Sequence, residues 1–205
     1  MNYDFIVVGL GNPGPDYVKT RHNAGYELIY RLIDSLKENG QVSQINGSKF
    51  FCELFKATNT YLGNLLIVLP LTFMNDSGKC VQALLHWHKI SPDKLLIVHD
   101  EMDLKAGEIR FKFGGGNAGH RGLNSITQML NTPNFYRLRI GIGRPQHKSD
   151  VISWVLNKPD QTDKQCILEI FPHALETIKI FADKGGEEAS QFAKSIKKIA
   201  PTALQ

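Results

Sequence analysis

Phe5-Ile6-Val7-Val8-Gly9-Leu10-Gly11-Asn12-Pro13-Gly14 is the stretch on which the fold turns. Four apolar, largely β-branched residues run without a polar break and close on glycine, the pattern of a strand buried on both faces in an α/β sheet. Its tail matches GxGxxG letter by letter and invites a dinucleotide loop. The surroundings argue against one. In that fingerprint the glycines open a helix whose first N–H groups receive a pyrophosphate, whereas Pro13 and Pro15 remove two donors here and impose turn geometry. The helix is expected to start only near Asn23 or Ala24. The acidic residue needed about 20 positions further on would be Asp34, which lies within the helical pattern and not at a second strand's end.

Outward from that turn comes Thr20-Arg21-His22-Asn23-Ala24-Gly25. Histidine exchanges protons near neutral pH, so His22, between a strand end and a helix start, is a candidate for acid/base work or simply a satisfied structural residue. Leu28, Ile29, Leu32, Ile33 and Leu36 recur at helical spacing and Gly40 supplies a stop. Residues 41–48 are polar and read as a loop. Phe50 to Ala57 and Leu65 to Leu69 read as strands around a turn at Thr58-Asn59, the second central and ended by Pro70. Leu71-Thr72-Phe73-Met74-Asn75-Asp76-Ser77-Gly78 then leads into a helix over 79–88 with Asp76 or Ser77 as N-cap. Phe73 and Met74 fit either burial or a binding segment, and Asn75 either a local cap or a functional amide.

Leu95 to Val98 is a third strong strand, with His99-Asp100-Glu101-Met102-Asp103 at its end, where open α/β sheets gather ligands and catalytic groups. Either these residues hold a cation, or one aspartate orients a histidine from elsewhere. Ile109 to Phe113 alternates, placing Arg110 and Lys112 on one face, and runs into Gly114-Gly115-Gly116-Asn117-Ala118-Gly119-His120-Arg121-Gly122. That glycine density suits a loop beside a ligand, but the GK[ST] ending of a P-loop is missing. After a helix over 123–130, the strand Phe135 to Ile142 carries Arg137 and Arg139 on one face. If it pairs with Ile109 to Phe113, the two basic rows form one basic face or a set of solvated charges. Residues 143–148 make a basic loop, and Val151 to Leu156 a short helix or strand, so that 143–159 read as a lid. A long amphipathic helix over 160–184, kinked by Pro172, ends at Gly185-Gly186. A last helix over 187–199 would line up Lys194, Lys197 and Lys198.

The 205 residues suit one domain with an ample core. A net charge of +4 with pI near 8.9 permits a polyanionic partner. Cys52, Cys80 and Cys166 are odd in number and widely spaced, which suggests neither a disulfide framework nor a thiolate metal site and points to a reducing compartment. The N-terminus carries no basic leader before its apolar run, and no apolar stretch approaches bilayer length, so the chain is expected to be cytoplasmic.

GLGNPG after its strand, YVKTRHNAG (17–25), PLTFMNDSG (70–78), VHDEMDL (98–104), KFGGGNAGHRG (112–122) and NFYRLRIGIGRP (134–145), in this order, resemble bacterial-type peptidyl-tRNA hydrolase over at least residues 5–159. The resemblance implies hydrolysis of the ester joining a peptide's terminal carboxyl to the ribose of tRNA. It implies a single α/β domain with a mixed twisted sheet flanked by helices, and a cytoplasmic monomer acting on peptidyl-tRNA without metal or cofactor. It makes His22 the catalytic base and Asp100 its hydrogen-bonding acid, and matches Asn12 to the residue that separates blocked from free aminoacyl groups. Phe73, Met74 and Asn75 match the grip on the nascent peptide and tRNA 3′ end, with Asn75 the oxyanion-donor candidate by role. Tyr17 matches a tRNA-contacting aromatic, and Asn117, His120 and Arg121 fall in a substrate-binding loop. Lys112, Arg137 and Arg139 are the candidates for the tRNA backbone. Arg121 stands where the family commonly has Asn; its donor-only guanidinium suits a phosphate or the substrate carbonyl. Two other readings remain to be separated by experiment: an RNA-binding module without turnover, and a metallohydrolase built on the HDEMD run.

Overall fold

The computed structural model describes residues 3–38, 41–197 and 199. Alternation along the first strand, β1 (Phe5–Gly9), explains the two-sided architecture: Phe5 and Val7 enter one apolar cluster, Ile6 and Val8 another. A seven-stranded sheet runs β2 (Val42–Ile45), β3 (Cys52–Thr60), β4 (Gly63–Pro70), β1, β5 (Leu95–Glu101), β7 (Tyr136–Gly141), β6 (Ile109–Phe113). The four middle strands β4, β1, β5 and β7 are parallel, while β2, β3 and β6 join antiparallel. The continuous apolar runs fall on the strands buried on both faces, as expected.

On one face lie α1 (Ala24–Lys37), α5 (Gln161–Lys184) and α6 (Gly186–Ser195); on the other, α2 (Ser77–His88) and α3 (Arg121–Leu130). A short α4 (Val151–Leu156) has no fully buried residue of its own, though Trp154 and Val155 pack half-buried against the first cluster. The five apolar positions read on α1 are all buried. Gly25 in its first turn is a requirement of close approach: a Cβ there would lie 2.4 Å from the Val98 carbonyl oxygen and 2.7 Å from Leu10 backbone atoms. The chain therefore passes directly over the ends of β1 and β5.

Several expectations need correction. Residues 41–48 contain strand β2, paired Val42↔Ala57 to Ile45↔Leu54; an edge strand with one open side carries polar residues and hides from an apolar count. The β3–β4 turn lies at Tyr61-Leu62, not Thr58-Asn59. Thr60 Oγ1 accepts from Leu62 N–H (2.9 Å) and donates to Gly63 O (2.8 Å), while Asn59 is a left-handed irregularity within the pairing. Strand β5 continues through His99, Asp100 and Glu101, so these are strand residues and not a following loop. Helix α2 begins at Ser77, with Asp76 at its N-cap. Helix α6 stops at Ser195, where Ile196 turns extended and the Ile199 N–H goes to Gly107 O (3.2 Å). Lys197 is therefore off the helix and Lys198 lies outside the described residues, so among the described residues only Lys194 of the three is helical. The Gly40 stop also lies outside the described residues; α1 ends at Lys37. Helix α5 runs Gln161–Lys184 with Pro172 inside it, the long helix that the sequence pattern predicts.

Candidate active site

The C-terminal ends of β4, β1, β5 and β7 share one edge of the sheet, and each is followed by a segment that supplies the same cavity, of about 240 Å³. After β1 come Asn12, Tyr17 and His22; after β4, Phe73, Met74 and Asn75. The last two residues of β5, Asp100 and Glu101, line it too, and the segment beyond β7 contributes Val151, Ile152, Val155 and Leu156 of α4. This is the strand-end position at which open α/β sheets bind ligands.

His22 sits in a 3-10 turn, Arg21–Asn23, 7% exposed, and its Nδ1–H donates to Asp100 Oδ1 at 2.9 Å. Asp100 is 2% exposed. Burial works to raise its pKa, but the imidazoles of His22 and His120 hold it well below the usual carboxylate range, so it is an anion. For His22 burial works to lower the pKa and Asp100 outweighs it, leaving a net rise above 6.5; Arg121 works against the rise. With Nδ1 committed, Nε2 is the nitrogen His22 can offer to the cavity.

His120 reaches the same Asp100 oxygen from the opposite side, Nε2 to Oδ1 at 2.9 Å. Its Nδ1 accepts from the N–H groups of Gly122 (3.2 Å) and Leu123 (3.3 Å), capping α3. An atom that accepts from two backbone donors carries no proton, so the proton of His120 is on Nε2, pointing at Asp100. His120 lines the cavity, and its two ring nitrogens go to Asp100 and to the start of a helix. Behind it His99, fully buried and held neutral chiefly by that burial, donates from Nδ1 to Asp100 O (2.7 Å) and meets the His120 ring edge-on at 4.9 Å.

His120 arrives by an indirect route. Strand β6 runs antiparallel to β7 and ends beside Tyr136, at the far edge, so the loop 114–120 must climb back across the sheet. Arg137 ties that loop down: it is 1% exposed and donates to Gly116 O and Gly115 O, both at 2.9 Å. The basic rows do pair as expected, Arg110↔Arg139 and Lys112↔Arg137, but half of the face is occupied, since Arg139 Nε also bonds Glu101 Oε2 at 2.9 Å. Alternation along β7 cannot distinguish solvent from a loop folded back over the strand.

Asn12 is held with its amide oriented. Met74 N–H donates to its Oδ1 (2.8 Å), and Asn23 brackets its backbone, accepting from Asn12 N–H (2.8 Å) and donating to Asn12 O (2.9 Å). That leaves Nδ2, the donor half, for the cavity. Tyr17 and the 57%-exposed Phe73 form an edge-to-face pair with centroids 6.4 Å apart at the rim. Arg121 lines the mouth, exposed. Asn117 is turned away, donating to Thr127 Oγ1 (3.2 Å), and neither Lys112, Arg137 nor Arg139 borders the cavity. Sequence reasoning missed Asn23 and the α4 residues. Asn23 was signalled only by following His22; a six-residue helix carries too few turns to declare a face.

His22, Asp100 and His120 are also the group, among the described residues, whose ligand atoms lie close enough to share a cation, all within 4.8 Å. Only Asp100 belongs to the HDEMD run. To bind metal through Nε2, His120 would have to move its proton to Nδ1, against the two backbone donors it now caps. The donor set fits a hydrogen-bonded cluster better than a metal centre.

Fold and site define an α/β protein whose carboxylate-held histidine stands at the strand ends of a largely parallel sheet, the equipment of a general-base hydrolase. A family model described as Peptidyl-tRNA hydrolase matches residues 6–201. The chain belongs to the peptidyl-tRNA hydrolase family. A peptidyl-tRNA hydrolase of Desulfovibrio desulfuricans is 52% identical over 194 residues, spanning 94% of this chain and 85% of that relative. One from Neisseria meningitidis is 43% identical over 194 residues, 93% and 96% of the respective chains. Among solved structures, the peptidyl-tRNA hydrolase of Acinetobacter baumannii matches with a TM-score of 0.89 at 35% identity, covering 97% of this chain and 100% of that one.

Proposed function

We propose that this protein hydrolyses the ester between the terminal carboxyl of a peptide, or of an N-blocked amino acid, and the 3′ ribose of tRNA. The observation that carries the mechanism is the 2.9 Å bond from His22 Nδ1–H to an anionic Asp100 inside the cavity. His22 Nε2 takes a proton from water as its oxygen attacks the ester carbonyl; Asp100 stabilises the imidazolium without taking the proton. The tetrahedral oxyanion collapses, the C–O bond to ribose breaks, and His22 returns the proton to the leaving ribose oxygen. Products are a peptide carboxylate and a tRNA hydroxyl.

Asn75 donates to the oxyanion. Asn12, with only Nδ2 free, reads a carbonyl of the acyl part, which sharpens the two-way reading its amide allowed from sequence. Tyr17 and Phe73 stack the unpaired terminal base, and Phe73 and Met74 flank the acyl chain. Arg121 holds a phosphate or carbonyl at the mouth. Lys112 and Arg139 face the tRNA backbone, while Arg137 and Asn117 serve by fixing the loop that carries His120. Residues 143–159 act as the lid. Cys52 and Cys80, buried and unbridged, suit a cytoplasmic enzyme, and we assign a monomer without metal; no helix of the described residues is long and apolar enough to cross a membrane.

The test is release of acyl groups from N-acetyl-aminoacyl-tRNA and from unblocked aminoacyl-tRNA, each with and without EDTA. Hydrolysis of the blocked form alone, indifferent to chelator, is expected. Salt-sensitive tRNA binding without turnover would replace the enzyme with a binding module, and chelator-sensitive release would restore a metal.

A further inference from the structure

Arg21 precedes His22, yet its side chain leaves the catalytic cluster altogether. It is 5% exposed, and its guanidinium carbon lies 3.7 Å from the centroid of the Trp154 ring in α4. Nη1 donates to Lys158 O at 3.0 Å, Nη2 reaches Asp163 Oδ2 at 3.4 Å, and the backbone N–H donates to Asn157 O at 3.0 Å. One residue therefore grips α4, the segment leaving it and the first turn of α5. Trp154 carries the grip to the other end: its Nε1–H donates to Gly143 O at 2.9 Å, where the segment departs from β7. Besides the Arg21 grip, α4 is held by the packing of half-buried Trp154 and Val155 on the margin of the core. It spans six residues, buries none completely and has no side-chain bond at its N-cap, yet Val151, Ile152, Val155 and Leu156 form a wall of the cavity.

We infer that Arg21 is a positioning residue: its stack on Trp154 latches α4 against the turn that carries His22, setting the apolar wall the acyl chain meets. A planar, delocalised cation suits this, because it can stack by its face while its edge bonds two acceptors. Its Nε, buried without a partner, shows that stacking takes precedence over complete hydrogen bonding here. The inference rests on the cavity binding the acyl part of peptidyl-tRNA.

The test uses Arg21→Lys, which keeps the charge but loses the fork and the stack, in a Trp87→Phe background. Trp87 is the other tryptophan and is exposed, so emission then reports Trp154 alone. Expected are a red-shifted Trp154 emission and faster amide exchange over 151–157 with that of α5 preserved. KM for a tRNA carrying a bulky peptide should rise about 10-fold, and for N-acetylglycyl-tRNA by less than about 3-fold, with kcat and its pH profile unchanged. Trp154→Ala should give the same pattern, and the double variant should be no worse than either single one. Equal losses on both substrates, a fall in kcat or a moved pH profile would overturn the latch, because Arg21 would then serve His22 directly. Unchanged exchange over 151–157 in the folded variant would overturn it as well. If Arg21→Lys does not fold, Asp163→Asn and Trp154→Phe remove single contacts and must raise the same KM about 2- to 3-fold for the latch to stand. Emission and exchange are read without substrate, so an inactive wild-type protein would sink the functional reading and leave the latch to be judged separately.

Discussion

The cavity has two unlike walls. One grows from strand ends and carries His22 and Asp100, both almost wholly buried, with Asp100 Oδ1 fixed from two sides at 2.9 Å. The other is α4, without a fully buried residue and with Ile152 56% exposed. Proton transfer tolerates little misplacement, whereas an apolar wall must accept side chains of any sequence. Under the proposed function the rigid wall serves the bond that never varies and the looser one the peptide that does.

Breaking the rigid wall should produce the largest effects. His22→Ala is expected to lower kcat/KM about 10⁴-fold while the thermal transition stays in place, and single-turnover hydrolysis of N-blocked aminoacyl-tRNA measures it. Asp100→Asn should cost about 10³-fold, chiefly in kcat, by releasing the imidazole's orientation and its counter-charge. His120→Ala removes one donor from Asp100 and the cap of α3, so about a 10-fold loss in kcat should accompany about 1 kcal/mol of lost stability in urea. A loss of stability with unchanged kcat would confine His120 to the helix.

Two gentler experiments sharpen the contrast. In the proposed mechanism His22 works as a neutral base, and with its pKa raised by Asp100, log kcat/KM should rise with pH through that raised value and level off above it. Arg121 works to lower that pKa, so Arg121→Asn should move the rising limb to higher pH; a limb that stays put would assign it to another group. Ile152→Ala, on the looser wall, should raise KM for bulky peptides about 2- to 3-fold and leave kcat alone. An effect as large on kcat would erase the distinction between the walls.

The rigid wall was also the legible one. FIVV and LLIV read as central strands because burial on both faces forces continuous apolar runs, and TRHNAG, HDE and GNPG stand at their ends. What escaped depended on distant partners. Strand β2 is polar because β3 supplies its hydrogen bonds, and α4 is too short for a period because Arg21 holds it from outside. Arg137 looked like a surface cation until a loop was found folded over it. The part His120 plays as the cap of α3 escaped because nothing local marks it.

That cap has one more consequence. Two imidazoles flank one carboxylate at equal distance, yet both ring nitrogens of His120 are taken, one by Asp100 and one by the opening amides of α3, while His22 keeps Nε2 open to the cavity. The place where a helix begins thus breaks the symmetry of the pair, leaving His22 the one with a nitrogen to spare.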